Sequence, residues 1–207
     1  MDKIELKGFK VNIGAPVGGI SEARIQKLQE ISEAFDFCQS TPNQHVLLAD
    51  QNLGISLLVI PTQITYTSMK GEVPDFVLMA QILQKAFSAL SLDPQGHYMI
   101  NQIGYLPVSR SSMDISLENF LSVDKQTLET EWNELMGVGL RFLEKKGDVI
   151  WEIKVEPLIQ DPSKFHIEGA FNFEPQKLDV IIESAKKAYE YFQGLLSKPI
   201  IKDFVLR

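Results

Sequence analysis

Apolar and polar residues alternate from Lys3 to Ile13, with Ile4 and Leu6 on one parity and Phe9, Val11 and Ile13 on the other. Alternation of period two marks a half-buried strand, and the change of parity at Lys7-Gly8 predicts a β-bulge. After the loop Gly14 to Gly19 the period lengthens. Ile25, Leu28, Ile31 and Phe35 recur at helical spacing behind Ser21, whose hydroxyl suits the cap position. The spacing predicts a helix of about four turns. A short segment containing Phe37 then leads to three strands, His45–Asp50, Leu53–Ile60 and Thr62–Met69, arranged as a meander. Pro74 and Asp75 open a second helix with Phe76, Met79, Ala80, Leu83, Phe87 and Leu90 on one stripe.

The order then recurs. His97–Pro107 reads as a strand, Asp124–Met136 as a helix, and Val138–Glu144, Val149–Glu156 and Phe165–Phe173 as three more strands, the first pair turned by Lys145-Lys146-Gly147-Asp148. A closing helix over Pro175–Leu196 places Leu178, Ile181, Ile182, Ala185, Tyr189, Phe192 and Leu195 on one face. The Ser-rich connection Val108–Asp124 reads as a packed loop with a helical turn, or as a lid. The pattern predicts an α+β fold with a largely antiparallel sheet and helices mainly on one face. It divides into two strand-helix-three-strand-helix halves, residues 1–93 and 97–207, as one fused domain or a pseudo-twofold pair. Duplication of a unit of about 100 residues is the economical explanation, and a single irregular domain is the alternative.

Composition narrows the class. The 207 residues are 44% hydrophobic and 23% charged, ordinary globular values that exclude a disordered or low-complexity chain. The net charge is −7, with 7 basic against 10 acidic residues in 1–96 and 13 against 17 in 97–207. Neither half is a basic module, so nucleic-acid binding is disfavoured. Cys38 is the sole cysteine, which forbids an intramolecular disulfide and points to a reducing, cytoplasmic setting. The first residues mix charges with apolar side chains, unlike a secretory leader. The longest uncharged stretch, Gln51–Met69, is broken by Gly54, Pro61 and several polar residues, so no membrane span is expected.

Candidate chemistry is sparse. The Gly14–Ser21 loop lies between a strand and a helix, where anions can bind, but it matches neither glycine-rich phosphate motif, lacks a lysine and loses a donor at Pro16. Cys38 has no base nearby in sequence and reads as a small buried residue. His45 and His97 begin strands without a second histidine at ligand spacing. Ser109, Ser111 and Ser112 flank Arg110 without a nucleophile elbow. The strongest polar grouping comes from the second half, where alternation puts His166, Glu168, Asn172 and Glu174 on one strand face and the neighbouring hairpin adds Arg141, Glu152, Lys154 and Glu156. Such a group could bind a polar ligand or set a carboxylate against a histidine, and a solvated antiparallel face gives the same pattern. No cofactor or metal motif accompanies it.

Charge distribution is more informative. Between Asp36 and Lys70 the only charged residue is Asp50, although this stretch supplies three strands. Ile55–Ile60 is nearly continuous in apolar residues, as expected of a strand covered on both faces. These features favour a non-enzymatic binding or assembly protein that contacts a second copy or another protein through the uncharged sheet, with Leu58, Thr65 and Tyr66 as candidate interface residues. The alternative is a small-ligand carrier or enzyme with a pocket between sheet and helices, using Arg141, Glu152, His166 and Glu168.

Overall fold

The computed structural model describes residues 3–31, 35–121, 135–147 and 149–205. In chain order the first part contains β1 (Glu5–Gly14), α1 (Glu22–Gln29), β2 (Phe37–Thr41), β3 (His45–Asp50), β4 (Ile55–Ile60), β5 (Gln63–Ser68) and α2 (Phe76–Ala89). The second contains β6 (Gln95–Pro107), α3 (Ser112–Phe120), β7 (Leu140–Lys146), β8 (Val149–Pro157), β9 (Lys164–Lys177), α4 (Leu178–Gln193) and α5 (Pro199–Phe204). All strands join one antiparallel sheet of nine, in the order β2-β3-β4-β5-β1-β6-β9-β8-β7. The fold is therefore α+β, as the periodicity predicts. β1 and β6 pair at the centre, and the remaining strands of each part step outward to opposite edges. This correspondence is one of order and does not establish a duplication, because among the described residues the first part has one strand more.

The sheet has two unlike faces because each strand sends alternate side chains to opposite sides. Toward the helices point Phe9, Val11 and Ile13 of β1, Leu57 and Val59 of β4, Ile100 and Leu106 of β6, and Phe165, Ile167 and Phe171 of β9, all at most 1% exposed. Leu28 of α1, Met79, Leu83, Ala86 and Phe87 of α2, and Ile181, Ala185 and Phe192 of α4 complete this core. Phe76 bridges the layers, edge-on to Phe9 at 5.7 Å and to Tyr189 of α4 at 6.1 Å. The helix starts follow the capping residues. The Ser21 hydroxyl accepts the Arg24 amide, and the Asp75 carboxylate accepts the amides of Val77 and Leu78 at 3.0 and 2.9 Å.

The β-bulge lies where the parity changes, with the β1–β6 register shifting between Leu6 and Gly8. Other boundaries differ from expectation. The regular part of α1 has only 8 residues, about two turns, although Ile31 and Phe35 are buried as their spacing implies. The Phe37 segment forms a full edge strand. β9 continues through Pro175 to Lys177, because its end still pairs with Gln95 and Gly96, and α4 begins only at Leu178. The Val108–Asp124 connection contains α3, capped by the Ser111 hydroxyl and packed through Ile115. Its described part fits the packed loop with a helical turn. Most of the helix expected at Asp124–Met136 lies outside the described residues. Among the described residues no helix is long and apolar enough to cross a membrane.

Candidate functional site

The face turned away from the helices carries the polar and ionisable groups of the strands, and pairing fixes which of them meet. In β7–β9, Arg141 lies opposite Lys154, Lys154 opposite Glu168, and Glu152 opposite Leu143 and Ala170. The Arg141 guanidinium reaches Glu152 at 2.8 Å, and the Lys154 ammonium touches Glu152 at 3.5 Å and Glu168 at 3.2 Å. Arg141, Glu152 and Glu168 thus join one ladder through Lys154. The hydrogen bond from Arg141 holds the Glu152 carboxyl below its ordinary range, against a smaller upward push from partial burial. The hydrogen bond to Glu168 raises the Lys154 ammonium. Two acids and two bases neutralise one another on a solvated sheet.

His166 shares this face but not the ladder. It lies opposite Tyr105 and Glu156, with its ring 6.1 Å from that of Tyr105, and makes no hydrogen bond or ion pair to Glu152 or Glu168 among the described residues. None of Arg141, Glu152, His166 and Glu168 lines the two larger described hollows. One, of about 630 Å³, opens between α2 and the start of α4 beside Ala80, Asp93, Leu178 and Ile182. The other, of about 380 Å³, is a shallow depression on the open sheet face beside Asn12, Gln63, His97, Met99 and Asn172. No group of three or more His, Cys, Asp or Glu side chains suited to a metal ion occurs among the described residues.

Across β2–β5 the same open face has a different character. Its outward residues are Phe37, Gln39 and Thr41, then His45, Leu47 and Ala49, then Ser56, Leu58 and Ile60, then Gln63, Thr65 and Thr67. None carries a fixed charge. Asp50, the one acid of this stretch, points to the other side and caps the following turn through the Leu53 amide at 2.6 Å. Leu58 is half-buried between Leu47 and Thr65. Thr65 is only 6% exposed, its hydroxyl held by Gln63 at 2.6 Å and Asn12 at 3.1 Å, while Asn12 donates to Asn101 at 2.9 Å. This uncharged amide network marks the middle of the sheet and separates the charge-free part from the ion-pair ladder.

Tyr66 does not belong with Leu58 and Thr65. One residue along a strand reverses the side chain, so Tyr66 points under α2, 1% exposed. Burial first, and then the Asp75 carboxylate, push its hydroxyl up to about 12. Cys38 also departs from expectation, because an edge strand has only one neighbour to cover it. The thiol is exposed, 3.5 Å from the Gln29 side-chain amide. The Gly14–Ser21 loop spends its donors internally: the Ala15 amide bonds Thr62 and the Gly18 amide bonds Pro61, at 3.1 and 2.9 Å. Arg24 donates to the carbonyls of Val17 and Gly19, and Val17 and Ile20 are buried. It is a packed connection.

Two features escaped the sequence reading, the amide network and the free edge of β2. Neither has a local signal, since the first joins residues from three strands and the second depends on where β2 falls in the sheet. The molecule thus belongs to the class of single-sheet α+β proteins with helices over one face and a solvent-facing strand surface opposite. No protein-family model matches the chain, and no curated protein matches it significantly.

Proposed function

We propose that this chain is a non-enzymatic binding or assembly protein that works in the cytoplasm and uses the open, charge-free face of β2–β5 for protein–protein contact. The carrying observation is that none of the twelve outward residues of these strands bears a fixed charge, while the same face of β7–β9 is laced with ion pairs. Solvated strand faces ordinarily carry charge, and interface centres are depleted of it. The internal neutralisation of Arg141, Glu152, Lys154 and Glu168, outside the two larger hollows found among the described residues, supports binding over catalysis.

Leu58 provides the test. It sits amid the face and is partly exposed, so Leu58→Asp places a charge there, with circular dichroism checking that the variant keeps the fold. Affinity capture with the wild type should retain a partner, Leu58→Asp should lose it, and Glu168→Gln should keep it. Loss with Glu168→Gln and retention with Leu58→Asp would move the contact to the ion-pair ladder. Thr65 is unsuited to this experiment, because a charge at its buried, hydrogen-bonded position would disturb the fold itself.

A further inference from the structure

We propose that β2 pairs edge to edge with β2 of a second copy of this chain, extending the two sheets into one around a twofold axis. This goes beyond the face contact and does not depend on it, because it uses backbone groups at the rim of the sheet. Among the described residues β2 ends the strand order and pairs only with β3, so alternate N–H and C=O groups along its outer side have no strand partner there. Proteins ordinarily guard such an edge with charge or proline, and Phe37-Cys38-Gln39-Ser40-Thr41 contains neither. Phe37, at 43% exposure, and the exposed Cys38 and Gln39 keep the edge accessible.

The second copy follows from self-complementarity. Full antiparallel overlap of the five residues about a twofold axis sets Gln39 opposite its counterpart, Cys38 opposite Ser40 and Phe37 opposite Thr41. Every pair is uncharged, and an aromatic residue facing a β-branched one is a favourable cross-strand pair. The other edge forbids the same arrangement. Full overlap of β7 with itself, Leu140 to Lys146, centres on Leu143 and brings Arg141 opposite Lys145 twice, a repulsive like-charge pairing. At full overlap the β2 edge therefore closes a symmetric pair without charge conflict and the β7 edge does not, and closure in a twofold dimer through β2 leaves the two charged β7 edges outward. The charge-free faces of both copies then become one continuous surface.

Light scattering coupled to size exclusion tests this with the full chain. The wild type should have the mass of a dimer, Gln39→Lys and Gln39→Glu should each run as folded monomers, and an equimolar mixture of the two should regain the dimer mass. Restoration on mixing is specific to opposed residues at position 39. Amide hydrogen exchange supplies a second readout that needs no variant: residues 37–41 of the wild type should exchange more slowly in concentrated than in dilute solution. A monomeric wild type, a dimer that survives Gln39→Lys, failure of the mixture to reassociate, or concentration-independent exchange at 37–41 would each overturn the proposal. Dissociation by Leu58→Asp alone would do so too, by showing that the copies meet face to face, whereas loss of partner capture with the dimer intact would leave the edge pairing standing.

Discussion

Gln102 lies on the helix side of β6, opposite Phe9 and Gly169, and is completely buried, yet neither Nε2 nor Oε1 has a hydrogen-bond partner among the described residues. Its parity makes it a core position, and its chemistry opposes that. An unsatisfied buried polar group costs about 1–3 kcal/mol, so Gln102→Met, which preserves length and volume, should raise the unfolding free energy by an amount of that order. Chemical denaturation with an unchanged m-value would check it, and a lower midpoint would show that the amide is better accommodated than its contacts indicate. Tyr66 yields a second outcome. Its hydroxyl is raised from 10.0 to about 12 in the folded chain. The neutral phenol is favoured by folding, so this contribution is complete below pH 10 and is lost as pH rises through the folded value. Stability measured across pH 10 to 12 should fall in the wild type and fall less steeply in Tyr66→Phe. Equal slopes would assign the alkaline loss to other groups.

At the scale of elements, α4 shows how a helix seats on a sheet. Its apolar stripe was visible at helical spacing, and Ile181, Ala185 and Phe192 are buried as that spacing requires, with Ile182 at the margin. How closely it approaches depends on residues distant in sequence. A Cβ at Gly104 would stand 2.3 Å from Ile4 Cγ2 and 3.2 Å from the Phe192 ring, and one at Gly169 would stand 2.9 Å from that ring. These two glycines let Phe192 and Ile4 lie against neighbouring strands. Gly104→Ala should therefore destabilise by about 1–3 kcal/mol through overpacking, read as a lowered melting temperature, with a neutral effect meaning that Ile4 can move aside. The edge strand β2 teaches the complementary lesson. Phe37 to Thr41 is too short for a decisive period, and its pairing with His45 to Ala49 made it a strand.

For the whole molecule, the division into a charge-free and a charged part of one open face was legible, because charge content is a property of segments. So were the strands' alternating residues, the bulge at Lys7-Gly8, the caps at Ser21 and Asp75, and the α+β class, all of which arise from neighbours in sequence. Periodicity grouped Arg141 with Glu152 and His166 with Glu168, but only sheet order and register decided that Arg141, Glu152, Lys154 and Glu168 form one ladder while His166 stands beside Tyr105. Parity by itself sets Tyr66 on the face opposite to its neighbour Thr65, and the helices decide which of the two faces is covered. The sequence by itself determined which residues can share a face, because local backbone geometry sets the period. Tertiary structure decided which face is covered, which strand becomes an edge and which charges neutralise one another, because strand order and helix docking bring together residues whose proximity no local spacing specifies.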